Sequence, residues 1–358
     1  MVRHATILLT LTLLTVFGTA CTPQGGKDSD TTPTGAPQIS DPLPLGLDAE
    51  ERVIPAGNPL TQPKVDLGWH LYFDARLSKD GTIACATCHH PDTGWSDGKA
   101  LMVGIGGQVG GRNSPTIMNR VFSSLQFWDG RSPSLEDQAL GPIQAGKEMG
   151  NTLENMVATL GGIEGYKPLF SAAFGDATVT PERVAQAIAS FERTIVAGNS
   201  PFDRYENGDK TAMNASAIRG HAIFKDSNKG RCSICHAGFN FTDELYHNIG
   251  VGMDQPDWET NHIGRFAVTK KEAEKGAYKT PTLRNVADSG PYMHDGSEAT
   301  LEAVVEFYAK GGSNLTHPQL DKEMKKLVLT DQDKADLVEF MKALSGDVTK
   351  VAIPEQVN

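Results

Sequence analysis

Apolar residues recur at helical spacing in several separate stretches of this chain. Val65 to Phe73 and Ala217 to Phe224 each carry a short apolar face, and similar patterning predicts helices over Leu153 to Leu160, Pro181 to Val196, Thr300 to Tyr308 and Asp331 to Leu344. Proline suits the first turn at Pro181, because the N–H it lacks has no helical partner there. Alternating, strand-like runs are few and short, and the glycine-rich stretch Gly104 to Gly111 reads as a loop. The pattern predicts a mainly α fold.

The pattern also repeats. Ser114 to Asn119 matches Thr280 to Asn285 at a shift of 166 residues, and the same ungapped shift lays Trp128, Asp129 and Gly130 on His294, Asp295 and Gly296, and Leu135 and Glu136 on Leu301 and Glu302. A small helical unit has therefore been duplicated.

Each copy carries one chemically distinctive pentad. Cys85 and Cys88 are followed by His89, and Cys232 and Cys235 by His236. Cys-x-x-Cys-His attaches a c-type haem: two thiols form thioethers to the vinyl groups and the histidine is the proximal iron ligand. A four-cysteine zinc cluster or two disulfides would explain the cysteine spacing, but not the histidine that follows both times. The expected architecture is two cytochrome c-like haem domains related by internal duplication, at 46–208 and 209–358, with two covalent haems.

The chain begins with a positive start, Met1 to His4, an apolar core from Ile7 to Phe17 too short to span a bilayer, and a small-residue region, Gly18 to Cys21. Residues 1–20 read as an export signal. Residues 21–45, rich in Pro, Thr, Gly and Asp, read as a flexible tether. Cys21 stands where bacterial lipoproteins carry their lipidated cysteine, although Gly18 replaces the usual leucine; cleavage by ordinary signal peptidase is the alternative. The expected location is the periplasm or cell surface, with outer-membrane anchoring if Cys21 is lipidated, and no other membrane contact. A net charge of −11 argues against nucleic acid and suits a basic redox partner.

Where the copies differ, the chemistry differs. Tyr308 lies opposite Pro142 under the same shift. A tyrosine can ligate iron through its phenolate oxygen, whereas proline has no side-chain donor. One haem is then closed on its far side and the other open to peroxide or oxygen. The alternatives are that Tyr308 packs its ring on an apolar face and that Pro142 only ends a helix.

The segments Cys85 to His89, Gly111 to Thr116, Gln126 to Arg131, Gly141 to Ile143 with Glu148 and Met149, Cys232 to His236, Lys279 to Asn285 and Pro291 to Gly296 together resemble the bacterial dihaem cytochrome c peroxidases. Within that family the chain is similar to the MauG-type branch, from about Pro59 to Leu344. The resemblance implies that Gln138 and Glu148 form the polar pair over the open haem, that Pro142 lies on that same face, and that Trp128 lies between the haems. It implies a calcium ion held by Asn113 and the carbonyls of Ser289 and Pro291, an oxygen-rich set suited to a hard cation. Taken singly, Trp128 also reads as a core aromatic, Glu148 as a helix-start carboxylate and Asn113 as a turn residue.

Two departures from the family pattern matter. Ile105 stands where many members carry a loop histidine that caps the peroxidatic haem, so this haem is expected to be open in the fully ferric protein. Tyr308 stands where many have methionine. A thioether favours ferrous iron and a phenolate favours ferric and higher states, so a Tyr308-ligated haem would hold oxidising equivalents rather than collect electrons. Met293 or Met324 is the alternative axial ligand.

The implied activity is reaction with hydrogen peroxide at the N-terminal haem, followed by long-range oxidation of a partner protein's Trp or Tyr. Two alternatives are a conventional peroxidase fed by a small cytochrome c or cupredoxin, and a surface dihaem electron carrier without catalysis. Glu148 and Gln138 argue against the carrier, which needs no proton-moving groups.

Overall fold

The computed structural model describes residues 35–358. The expected export signal and Cys21 lie outside the described residues. The helices are α1 (Gln62–Tyr72), α2 (Cys85–Cys88), α3 (Leu135–Gln144), α4 (Leu153–Gly161), α5 (Tyr166–Phe174) and α6 (Pro181–Glu192), then α7 (Pro201–Glu206), α8 (Ala215–Lys225), α9 (Trp258–Asn261), α10 (Phe266–Thr269), α11 (Leu301–Lys310) and α12 (Asp331–Lys342). Among the described residues, four two-residue strands form two antiparallel pairs: β1 (Ala197–Gly198) with β4 (Asp347–Val348), and β2 (Tyr246–His247) with β3 (Tyr278–Lys279). The mainly α expectation holds.

Each half is built on a crossed helix pair, α1 on α6 and α8 on α12. Both crossings are closed by a glycine. A Cβ on Gly68 would lie 1.9 Å from the Ala187 carbonyl oxygen, and one on Gly220 would lie 1.9 Å from that of Asp336. Around these crossings sit the two main apolar clusters, with Tyr72, Trp95 and Phe191 in the first and Phe224, Phe241 and Phe340 in the second. Burying such aromatic rings contributes strongly to the packing energy of a small helical domain.

The 166-residue shift is a shift in three dimensions too. Single turns Arg120–Phe122 and Val286–Asp288 correspond, as do α3 and α11, capped by Ser134 and Thr300. Asn119 and Asn285 are both left-handed, at φ 61° and 54°, and so are Phe127 and Met293, at 67° and 72°. The shift fails outside this block. The second half has a longer connection after its pentad, carrying α9 and α10, and no counterpart of α4 and α5.

Three details differ from the sequence-based expectation. The helix from Pro181 ends at Glu192, not Val196. Asn119 takes over the chain there: Ala197 N–H donates to Asn119 Oδ1 and Asn119 Nδ2 donates to Ala197 O, at 2.8 and 3.0 Å. Of the expected tether, the described part, 35–45, is fixed to the body: Ile39 N–H donates to Gln62 Oε1, Gln62 Nε2 to Pro37 O, and Asn199 N–H to Leu45 O. Residues 347–358, assigned by expectation to the second half, pack on the first. Trp69 Nε1 donates to Ala352 O at 2.7 Å and Arg76 Nη2 to Val357 O at 2.7 Å.

Glu192, at the end of α6, is buried and its Oε2 has no hydrogen-bond partner. Burial raises its pKa from 4.5 to about 8, against the opposing pull of Arg193 and Arg120. The folded protein then keeps a proton that the unfolded chain has released. Stability is therefore greatest below pH 4.5 for this group and falls as pH rises towards 8, by up to about 1.4 kcal/mol per pH unit. In Glu192→Gln this slope should disappear, making the variant more stable than the parent at pH 8. Urea unfolding at pH 5 and pH 8 tests this, and equal slopes in both proteins would refute it.

Candidate functional site

The second pentad begins in a single turn, Cys232–Ile234, and His236 N–H donates to Cys232 O at 2.9 Å. His236 Nδ1 lies 3.1 Å from the Phe241 carbonyl oxygen, so Nδ1 carries the proton and Nε2 has its lone pair free for a metal. Cys232, Cys235 and His236 line a cavity of about 240 Å³. Its walls are apolar, from Phe224, Leu283, Val305, Leu337 and Met341, and Tyr308, Met293 and Met324 also face it. Burial pushes the Tyr308 phenol well above its ordinary range, and the Cys235 and Cys232 sulfurs add to the shift.

The same cavity has a polar part. Lys279 is buried; its Nζ donates to Glu244 Oε1 at 2.8 Å and to Thr280 O at 3.0 Å. Burial, then Arg120, draws its pKa down to about 8. Arg120 donates to the neutral acceptors Gln126 and Leu125 and makes no ion pair among the described residues. Glu244 Oε2 and the Tyr246 hydroxyl are buried without partners. An apolar cavity with two thiols, a free imidazole nitrogen, a guanidinium without a carboxylate partner and a buried lysine fits a haem: the thiols would take the vinyl groups, the imidazole the iron, and Arg120 and Lys279 the two carboxylates.

Trp128, Asn113, Ser289 and Pro291 line this cavity as well. Trp128 Nε1 donates to Asn113 O at 2.9 Å, and Lys279 N–H donates to Trp128 O at 2.9 Å, which fixes the indole from both sides. Asn113 Nδ2 donates to Lys99 O at 2.8 Å, leaving Oδ1 as its available ligand atom. Beside them His294 is buried and stacked on Tyr278 with ring centroids 3.6 Å apart, and its Nε2 is 3.0 Å from His262 Nδ1.

The first pentad is the short helix α2, with His89 N–H donating to Cys85 O at 3.0 Å. The Tyr72 hydroxyl donates to His89 O at 3.0 Å. His89 Nδ1 is buried without a partner, and burial lowers the imidazole's pKa, so the ring is held neutral, the form that binds iron. None of the four pentad cysteines is in a disulfide.

Glu148 is half-buried near this pentad, and its charge acts on the Cys88 thiol. Burial raises the Glu148 carboxyl above its ordinary value, with Arg131 opposing. Gln138 and Pro142 are four residues apart on α3, on one helix face, and Pro142 lies inside that helix rather than ending it. Lacking an N–H, Pro142 cannot bond the Gln138 carbonyl as the helix would require. The Ile105 loop is pinned onto Glu148: Ile105 N–H donates to Glu148 O at 2.8 Å, and a Cβ on Gly104 would fall 2.1 Å from Lys147 O.

Sequence reasoning assigned no task to Arg120, Lys279, Glu244, Tyr246 or His247. A signal existed for the first two. They border the repeated motifs, and the other copy has Val286 and Asn113 at those positions, so a charge is present in one half only. His247 lies between two carboxylates, 2.6 Å from Asp321 and 2.9 Å from Asp243.

A family model described as di-haem cytochrome c peroxidase matches residues 62–211. The chain is 41% identical over 302 residues to the methylamine utilization protein MauG of Methylophilus methylotrophus, covering 84% of this chain and 88% of that protein. It is 38% identical over 303 residues to the cytochrome c551 peroxidase of Pseudomonas aeruginosa, covering 83% of each. Among solved structures, a MauG-like protein associated with microbial copper homeostasis matches with a TM-score of 0.77 and 28% identity, over 86% of this chain and 95% of that one. With both haem pentads present and relatives this similar over most of its length, the chain belongs to the dihaem cytochrome c peroxidase family, haem oxidoreductases with two c-type haems.

Proposed function

We propose that this protein reacts with hydrogen peroxide at the haem of its first half and discharges the oxidising equivalents by long-range oxidation of a partner protein, as in the MauG-type branch. The observation that carries this reading is the equivalence of α3 and α11, which puts Pro142, without a donor atom, and Tyr308, facing the second pentad's cavity, at matching positions. Ile105 on the loop over Glu148 supports an uncapped first site.

The haems would be held by Cys85, Cys88 and His89 and by Cys232, Cys235 and His236, with the Tyr308 phenol oxygen as a further donor to the iron of the latter. The iron supplies the redox chemistry. Glu148 moves a proton from one oxygen of hydrogen peroxide to the other, so that water can leave, and Gln138 orients the oxidant by hydrogen bonding. Trp128, held at both its indole and its backbone carbonyl, lies on the electron path between the halves. Arg120 and Lys279 would balance the carboxylates of the second haem. Asn113 Oδ1 and the carbonyls of Ser289 and Pro291 would hold a calcium ion. Export, with or without a lipid on Cys21, agrees with the signal-like start of the chain.

The conventional peroxidase reading retains one specific support: Met293 and Met324 face the same cavity as Tyr308. Titrating the fully ferric holoprotein with stoichiometric peroxide, followed by haem absorption and low-temperature EPR, separates the two. The proposal expects both ferric signals to vanish together without prior reduction, and Tyr308→Phe to alter the second signal before peroxide is added. No reaction until one haem is reduced would instead assign a conventional peroxidase with an altered loop. A dihaem electron carrier would show no fast peroxide reaction in either state.

A further inference from the structure

The second pentad is also where this acidic protein turns basic. Ile234, between Cys232 and Cys235, is 37% exposed, and Val328, between the cavity-lining Leu327 and Leu329, is 90% exposed. Lys225, Lys322, Lys325 and Lys326 are exposed around them and form no ion pair among the described residues. The Ser233 hydroxyl donates to the Lys225 carbonyl, fixing that lysine's backbone beside the pentad, and Lys325 itself lines the cavity mouth.

Neighbouring carboxylates are largely occupied. Glu323 pairs with Arg231, Asp321 with His247, and Asp333 with Lys229. Across residues 225–236 and 321–329, six lysines and arginines stand against three carboxylates, within a chain of net charge −11. An exposed apolar centre with a basic rim, over the thiols that attach a haem, has the anatomy of a transient electron-transfer contact.

We infer that this face docks a protein with an acidic surface, and that the second half exchanges electrons with its partner here. The inference rests on the proposed function and names the partner's chemistry: charge complementarity favours an acidic surface, against the basic partner suggested by the net charge. Rim charges steer such encounters over about 30 Å at 0.01 M salt and only about 10 Å at 0.1 M, and the apolar centre then excludes water.

Two probes of opposite charge test this: isotope-labelled, reduced plastocyanin, an acidic cupredoxin, and reduced mitochondrial cytochrome c, which is basic. Each is titrated with the ferric holoprotein and followed by NMR, where paramagnetic broadening reports approach to a haem. The acidic probe should bind at low salt and be released by about 0.2 M salt. The double variant Lys322→Glu, Lys326→Glu, at exposed lysines outside the cavity lining, should weaken it about ten-fold or more. Val328→Asp should also weaken it, while peroxide titration of both variants stays unchanged.

Preferential binding of the basic cytochrome, failure of the acidic probe to bind, or unchanged binding after charge reversal would overturn the inference. Binding is read without peroxide, so failure of the peroxide titration alone would remove the proposed activity and leave the docking surface standing.

Discussion

Glu148→Gln should slow the reaction of the ferric protein with peroxide by about 10²–10⁴-fold, the usual worth of a positioned proton-transfer group. The substitution keeps the side chain's size and one oxygen acceptor, and removes the ability to take a proton and return it. Backbone anchoring argues that the site survives, since the Ile105 loop bonds the Glu148 carbonyl, not its side chain. Burial raises the parent carboxyl, so its proton persists to higher pH than on an ordinary glutamate. The parent's rate should therefore show an inflection above that ordinary range, and the variant should lack it. Stopped-flow haem absorption across pH decides. A rate within about three-fold of the parent at every pH would remove Glu148 from the chemistry.

Asp203→Asn should cost about 3–5 kcal/mol of folding free energy, the penalty for leaving a buried charge uncompensated. Arg284 and Asp203 are both buried and meet bidentately, Nη1 to Oδ2 at 2.7 Å and Nη2 to Oδ1 at 3.0 Å. Arg284 also donates to Gly46 O and Phe239 O, and Asp203 caps the turn at Ser200. One ion pair thus ties four distant segments together. Gly46 has to be glycine, because a Cβ there would lie 2.0 Å from Asp203 Oδ1. Denaturant unfolding followed by far-UV circular dichroism measures the loss, and the double replacement Asp203→Leu, Arg284→Met should recover part of it. A loss below about 1 kcal/mol would mean that water reaches the pair.

Helices α1, α4, α6, α8, α11 and α12, the duplication and both pentads were legible in the sequence because each rests on local spacing. The correspondence of α3 with α11 could be read because no gap interrupts residues 114–136 and their copies. Helix α5 was missed: it is nine residues long, carries Pro168 near its start, and has no copy in the second half to expose it. The docking of residues 35–45 was missed because it relies on backbone carbonyls and the Gln62 side chain, which hydrophobic patterning does not register. The polar part of the cavity escaped for a further reason. Arg120, Glu244 and Lys279 lie far apart in the chain, and a charge becomes conspicuous only once folding has stripped its water.

Phe127 and Met293 have a larger meaning than their shared place in a repeat. Left-handed backbone at a bulky residue costs about 1–2 kcal/mol, and here it comes immediately before the cavity-facing Trp128 and His294. The Phe127 ring is held under the Arg131 guanidinium, 3.5 Å from the ring centroid. Trp128 is therefore preorganised: its freedom is given up when the chain folds, not when the cofactor is in place or electrons begin to move. As the proposed relay, Trp128 would need little rearrangement at the moment of transfer, and the strained turn one residue upstream keeps it so.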